Sequence, residues 1–189
     1  MASYLVFAGT ELPSGAARLP AGYHARLWRP ALTAVRPPGP FAPALPLLWW
    51  MAHHGRLFRN RDYSVLTIHA DDTVVHRSVA FPAYFTFPFM GRRDVQIGYT
   101  WTAPTHRGRG LATRAIEELM HALAEPDRRF WYLTDSMNAP SMRAARAAGM
   151  RHVAFARRSV PAGVRAIGRY SITSWTDDDA ASTSSTVND

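Results

Sequence analysis

The chain has 189 residues, of which 47% are apolar, and a formal net charge of +8. It contains neither cysteine nor lysine, which excludes disulfides, thiolate metal sites, cysteine nucleophiles, lysine Schiff bases and Walker-type phosphate loops. The basic balance favours an anionic partner such as a phosphorylated cofactor, a nucleic acid or an acidic surface, although an arginine-rich solvated surface would give the same charge.

Apolar segments of the chain are all short. None reaches the ~18 residues that a membrane-spanning helix needs. Residues 1–9 also lack the basic flank and the long apolar segment of a signal peptide. We therefore expect a cytoplasmic protein that does not contact the membrane.

Hydrophobic patterning gives the elements of the first half of the chain. Alternation and turn residues predict, in chain order, a strand at 22–29, a helix at 47–54 and strands at 63–70, 73–81 and 95–102. Residues 1–21 show no firm pattern. The proline-rich segments 36–46 and 82–93 are predicted to be loops.

The second half contains the clearest helix, whose apolar residues recur at helical spacing from Ala112 to Leu123. The elements predicted after it are a strand at 129–134, a helix at 140–148 and a hairpin of strands at 151–160 and 164–174. Residues 176–189 are mostly Asp, Ser, Thr and Ala, which predicts a disordered acidic tail behind one domain, residues 1–175.

This order of elements predicts a single α/β domain of the mixed α+β kind. The strand, helix and strand between residues 95 and 134 imply a right-handed crossover, which places the two strands side by side and parallel.

A glycine-rich segment joins the strand that ends at 102 to the clearest helix. Gly108 and Gly110 let the backbone approach a ligand closely, and the helix start adds unpaired N–H groups and the positive end of the helix dipole. Arg107 and Arg109 add positive charge. The segment therefore favours a pyrophosphate site, although a tight turn alone would also use these glycines.

This segment resembles the first motif of the GNAT family of N-acetyltransferases. Arg107-x-x-Gly110-x-Ala112 is similar to that family's (Gln/Arg)-x-x-Gly-x-(Gly/Ala) signature, which lies between a strand and a helix.

A second motif follows at the separation that the family shows. Asn138-x-x-Ser141, with Gly149-Met150 after it, is similar to the family's Asn-x-x-(Ala/Ser) followed by Gly-Phe. The resemblance is good over residues 60–155 and extends over 22–60 only in the order of elements.

The resemblance implies a mostly antiparallel central sheet flanked by helices, with a central pair of parallel strands that splay apart around a V-shaped slot. It implies acetyl-CoA, or another acyl-CoA, as acyl donor and a small-molecule amine as acceptor. The residues that would hold the donor are Thr100, Trp101 and Thr102 on the strand, Arg107, Gly108, Arg109, Gly110, Leu111 and Ala112 in the loop, and Asn138 and Ser141 across the slot.

Two positions depart from the family's pattern. Gln96 stands where many members carry a glutamate base, and Ala145 where many carry a tyrosine that protonates the leaving thiolate. Ser141 is a substitute for the tyrosine, with capping of the helix start as its alternative role. His76 and Asp94 are the candidate bases, with a core histidine and a surface carboxylate as their structural alternatives and a water chain as a third route.

The sequence therefore predicts an acetyl-CoA-dependent N-acetyltransferase that acts by direct attack of a primary amine, such as an amino sugar or another small amine. The alternatives are a non-catalytic acyl-CoA-binding or regulatory module and a protein N-terminal acetyltransferase. A basic RNA-associated protein is disfavoured, because no RNA-binding module is apparent.

Two further features bear on the function. Adjacent His53 and His54 would diverge on a helix, so no metal site is predicted. The aromatic segment 81–89 has three alternative roles, as core, as a wall of the acceptor pocket, or as a contact in a homodimer.

Overall fold

The computed structural model describes residues 3–13, 18–42, 44–161 and 168–176, which form one eight-stranded sheet and three α-helices. Its elements, in chain order, are β1 Ser3–Gly9, β2 Tyr23–Trp28, α1 Ala44–His54, β3 Ser64–Ala70, β4 Thr73–Pro82, β5 Val95–Thr102, a 3₁₀ turn Pro104–His106, α2 Leu111–Ala122, β6 Phe130–Asp135, α3 Ala139–Ala147, β7 Arg151–Ser159 and β8 Arg169–Trp175. The predicted α/β class is confirmed.

The strands lie in the order β2-β3-β4-β5-β6-β1-β7-β8, and β5 and β6 are the parallel pair. These two strands stay in register only from Val95, opposite Phe130, to Ile97, opposite Tyr132. Beyond Ile97 they diverge, so the second half of β5 has a strand partner on the β4 side only. The parallel pair and its splay are both confirmed.

Helix α2 crosses over between the two parallel strands and covers the sheet. Ile116, Leu119 and Met120 are fully buried in one cluster with Phe130 of β6, which confirms the apolar stripe. The helix begins at Leu111, directly after the glycine-rich loop, so its first turn is fixed in position by the buried core.

Strand β1 is the element that the sequence analysis missed. It lies between β6 and β7 and pairs antiparallel with both, and its Val6 and Phe7 are fully buried. A strand covered on both faces reads as a continuous apolar run rather than as an alternation, so the pattern at residues 4–8 escaped a search for period two.

Other element ends differ from the predictions by a few residues. Helix α1 begins at Ala44 rather than at residue 47. Strand β8 begins at Arg169, whereas residues 164–167 of the predicted strand and most of the predicted hairpin turn lie outside the described residues. The predicted disordered tail also lies outside them, apart from Thr176, whose N–H donates to the Val153 carbonyl.

Across the described ranges, no helix is both long enough and apolar enough to cross a bilayer.

Candidate functional site

The splay between β5 and β6 opens a groove of about 620 Å³, which runs from β5 across the start of α2 to α3 and is here called the splay groove. Its walls include nine of the residues predicted for donor binding: Thr100, Trp101, Thr102, Arg107, Gly108, Gly110, Leu111, Ala112 and Ser141. Residues that are far apart in sequence therefore meet along one continuous surface.

The glycine-rich loop takes a conformation that other residues adopt poorly. Gly108 and Gly110 have φ values of +76° and +74°, in the left-handed region, and a Cβ atom on either would meet no protein atom within 4 Å. Their glycine identity is thus required by the backbone angle and not by crowding. The main chain is left open to the groove beside the first turn of α2, whose N–H groups have no partner within the helix.

The two arginines of the loop point to different places. Arg107 lines the splay groove, and its Nε donates to the Thr102 carbonyl at 3.2 Å. Arg109 does not line the groove, because its guanidinium donates to the Tyr23 hydroxyl at 2.9 Å, and that hydroxyl also bonds His106. The structure therefore brings one of these two predicted cations into the groove.

Helix α3 forms the opposite wall. The Asn138 side chain accepts a hydrogen bond from the Ser141 backbone N–H at 3.2 Å, so Asn138, rather than Ser141, caps the helix. Ser141 lines the groove, whereas Asn138 lies beside it. Arg143 also lines the groove but was not predicted from the sequence. Helical spacing, which puts residues 140, 143, 144 and 147 on one face, is the signal that would have indicated it.

A second cavity of about 570 Å³ lies on the other side of the splay. We call it the aromatic cavity, and its lining consists of Leu45, Leu48, Trp49, Met51, Ala52, Leu57, Phe58, Tyr84, Phe85, Thr86, Phe87, Gln96, Gly98, Tyr99, Leu133, Arg158 and Tyr170. Four of these, Tyr84, Phe85, Thr86 and Phe87, come from the predicted aromatic segment 81–89, which therefore forms a cavity wall. Phe81 of that segment is buried in the core.

The two cavities meet along β5. Gln96, Gly98 and Tyr99 line the aromatic cavity, and the next residue, Thr100, lines the splay groove. Tyr99 has a φ of +48°, and its ring packs against Trp49 with the ring centroids 4.7 Å apart. A bulge in β5 at this point thus marks the boundary between the cavities.

His76 lies behind the groove wall and lines neither cavity. It is fully buried, with Nδ1 2.8 Å from the Thr102 hydroxyl and Nε2 3.1 Å from the Ser78 hydroxyl. Burial lowers its pKa to about 3, well below the ordinary value near neutrality that the sequence analysis used. The imidazole is therefore neutral at working pH and reaches the groove only through Thr102.

Asp94 fastens the start of β5 to that of β6. Its carboxylate accepts hydrogen bonds from the Gly91 N–H at 2.8 Å, the Arg129 N–H at 3.3 Å and the Trp131 indole N–H at 2.8 Å. It is 8% exposed and lines neither cavity. Because the carboxylate accepts hydrogen bonds from these three donors, its role is to hold this part of the fold together.

The two positions at which the family usually carries acid and base hold no titratable group. Gln96 lines the aromatic cavity and donates from its side-chain amide to the Ile97 carbonyl at 2.7 Å. Ala145 is fully buried in the core under α3. Within the described parts of the chain, no three His, Asp or Glu side chains lie close enough together to hold a metal ion.

Comparison with known proteins identifies the same family as the two sequence motifs. The model of the acetyltransferase (GNAT) domain family matches residues 49–151, more than half of the chain. No curated protein sequence matches this chain.

Several solved structures share the fold. A putative GNAT acetyltransferase from Novosphingobium aromaticivorans superposes with a TM-score of 0.52 at 20% identity, over 82% of this chain and 61% of that one. A GCN5-related N-acetyltransferase from Sphaerobacter thermophilus gives 0.54 at 19% identity, over 82% and 49% of the two chains. A GNAT acetyltransferase from Colwellia psychrerythraea gives 0.51 at 14% identity, over 80% and 53%.

The chain thus spans only about half to three fifths of the length of these structures, with 61%, 49% and 53% of them covered. At these identities the structures show the fold alone, whereas the family match rests on the sequence of the domain itself. The glycine-rich loop, the splayed pair and the second motif all lie within the matched residues 49–151. The chain belongs to the GNAT acetyltransferase family.

Proposed function

We propose that this protein is an acetyl-CoA-dependent N-acetyltransferase that transfers the acetyl group directly to a primary amine. The observation that carries the proposal is the junction of two cavities on consecutive residues of β5, Tyr99 and Thr100. A donor in the splay groove and an acceptor in the aromatic cavity would meet there without any covalent intermediate on the protein.

The splay groove fits the donor in three respects. The loop around Gly108 and Gly110 offers open backbone and a helix start to a pyrophosphate. Arg107 and Arg143 add positive charge along the same surface. The β5 main chain at residues 100–102 has no strand on the β6 side, so it is available to pair with the amide groups of pantetheine.

The donor supplies an activated thioester when it is bound. In the proposed step the neutral amine nitrogen attacks the thioester carbonyl, a C–N bond forms and the C–S bond breaks. A backbone N–H near Thr102 would stabilise the developing oxyanion. Proximity of the two reactants supplies most of the rate enhancement, because a thioester is already reactive toward amines.

The residues predicted as acid and base have different parts in this proposal. Ser141 lines the groove and is the candidate to donate a proton to the leaving thiolate. His76 positions the Thr102 hydroxyl from behind the wall, and Asp94 holds the two parallel strands together at their start. The proton of the amine passes to water or to the thiolate.

A colorimetric assay of free CoA thiol tests the proposal. Purified full-length protein is incubated with acetyl-CoA and with separate small monoamines, diamines, amino sugars and peptides. We expect amine-dependent release of CoA and an acetylated product of matching mass. Tight binding of acetyl-CoA with no turnover of any amine would instead support the non-catalytic acyl-CoA-binding module, which the loss of titratable groups at Gln96 and Ala145 favours.

A further inference from the structure

The aromatic cavity also carries information about the acceptor, and this inference rests on the proposed function. We infer that the acceptor is an arylamine, or an equally weakly basic amine, that has an apolar body and arrives already unprotonated.

The lining is suited to an apolar body. Trp49, Phe58, Phe87 and Tyr99 present rings to the cavity, and Leu45 and Leu133 add aliphatic surface. Aromatic rings pack well against an aryl group in offset or edge-to-face arrangements. A polyhydroxylated sugar would leave its hydroxyl groups without partners on this surface.

The cavity offers no base to a protonated amine. Among the described residues that line it, none is Asp, Glu or His. Burial raises the pKa of Tyr84, and it raises the pKa of Tyr170 to about 12, so both phenols stay protonated at working pH. Gln96 supplies an amide, which does not accept a proton in this range.

The burial of the cavity also disfavours an ammonium ion. Arg158 lines it, with its guanidinium carbon 5.3 Å from the centroid of the Tyr170 ring. An ammonium group brought into this mostly apolar space would be poorly solvated and would meet no carboxylate among the described lining residues. Polyamines and aminoglycosides, which carry several ammonium groups, are thus a poor match.

These properties select amines by basicity. An alkylamine is mostly protonated at neutral pH and must lose a proton before its nitrogen can attack. In an arylamine the lone pair is delocalised into the ring, so the nitrogen is neutral under the same conditions. The C–N bond then forms as the C–S bond breaks, and the departing CoA thiolate takes up the proton that the nitrogen releases.

The apolar space could also receive a long acyl chain on CoA, but its rim favours the acceptor. Leu48, Met51, Leu57 and Phe85 are 47–65% exposed around the cavity. The cavity is therefore open to solvent on its own side of the splay, so a molecule can enter it independently of CoA.

Two isomeric amines test this inference. 4-Ethylaniline and 2-phenylethylamine have the same formula and similar apolar bodies but differ in basicity. With acetyl-CoA, we expect kcat/KM for 4-ethylaniline to be nearly flat between about pH 6 and pH 8. For 2-phenylethylamine it should rise about tenfold per pH unit, because only the neutral form reacts and no group of the protein removes the proton.

A matched pair of variants tests whether the acceptor binds in the aromatic cavity. Leu48→Asp places a carboxylate in the cavity rim and should lower kcat/KM for 4-ethylaniline by about tenfold. Leu32 is 77% exposed and does not line the cavity, so Leu32→Asp adds the same charge elsewhere and should leave kcat/KM unchanged.

The outcomes separate this inference from the proposed function. Preferred acetylation of spermidine or glucosamine would overturn the inference and leave the proposed function standing. Faster transfer from octanoyl-CoA than from acetyl-CoA would assign the cavity to the acyl chain and also overturn it. No turnover of any amine would overturn both, and a shallow pH dependence for 2-phenylethylamine would show that a base exists.

Discussion

The splay groove and the aromatic cavity adjoin on β5 but are built in different ways. The groove offers the open backbone of two glycines, a helix start and a strand edge without a partner on the β6 side, drawn from β5, the glycine-rich loop and α2, with α3 opposite. The cavity is lined mainly by side chains from α1 and the segment after it, the segment before β5, β5 itself, β6 and the last two strands. Backbone construction suits a donor that is the same for a whole family, and side-chain construction suits an acceptor that varies.

The largest expected effect is a loss of acetyl-CoA affinity on substitution in the glycine-rich loop of the splay groove. Gly110→Glu forces a side chain to adopt a φ of +74° and places negative charge where phosphate would lie. We expect acetyl-CoA affinity to fall by on the order of 10²-fold, measured by calorimetry, while circular dichroism shows that the fold persists.

Gly149 provides the matched control for that variant. Its φ is +82°, and a Cβ atom there would also meet nothing within 4 Å, but it follows the far end of α3. Gly149→Glu should therefore have a similar backbone cost and leave acetyl-CoA affinity nearly unchanged. Equal losses of affinity in both variants would contradict the pyrophosphate assignment.

The next effect concerns the missing base. Gln96→Glu returns a carboxylate to the aromatic cavity, where burial should raise its pKa, so its activity as a base should increase as pH rises through that value. We expect kcat/KM for a strongly basic alkylamine to increase by roughly tenfold at neutral pH. Steady-state kinetics against pH is the measurement, and an unchanged profile would show that this position does not face the acceptor nitrogen.

A smaller effect, on the pH dependence of the free energy of unfolding, is expected from His76. Because burial lowers its pKa in the folded state to about 3, the unfolded chain binds a proton on this residue near its ordinary pKa and the folded chain does not. The stability associated with the neutral form is therefore present above that ordinary pKa and is lost as pH falls toward the folded value. The loss should be on the order of 2 kcal/mol by pH 5.

His76→Gln should lack that part of the pH dependence. Denaturant titrations of both proteins from neutral to acid pH measure the difference. The kcat profile of the original protein should show no step near the ordinary histidine pKa, and such a step, abolished in the variant, would make His76 a base after all. Asp94→Asn is the companion variant, which should lower stability through its three hydrogen bonds and change turnover little.

The smallest effect is expected from the acidic tail. We propose that the catalytic domain is contained in residues 1–175, so a chain that ends at Trp175 should keep its thermal midpoint and its acetyl-CoA affinity. Differential scanning calorimetry and a binding titration measure the two. A drop larger than the loss of the Thr176 hydrogen bonds to Val153 explains would show that the residues beyond Thr176 stabilise the domain.

The contrast between the two cavities explains how far the sequence could be interpreted. The loop around Gly108 and Gly110 was predictable because its chemistry lies in consecutive residues, and the α2 stripe because its period is regular. The aromatic cavity was predictable only in part, as one alternative role for segment 81–89, since Trp49, Tyr99 and Tyr170 meet only through the tertiary fold. The burial of His76, which changes its pKa, was also invisible along the chain, because strand pairing brings Thr102 to it and the tertiary fold covers it.

The position of β1 has a consequence for how the molecule is assembled. Strand β1 is synthesised before its partners β6 and β7, so it can pair only after both of them have been made. Until β1 inserts between them, the strands β2 to β6 and the hairpin β7–β8 are separate pieces with unpaired edges. Such long-range pairing slows folding, and a change that removes or displaces β1 would disturb the middle of the sheet rather than its edge.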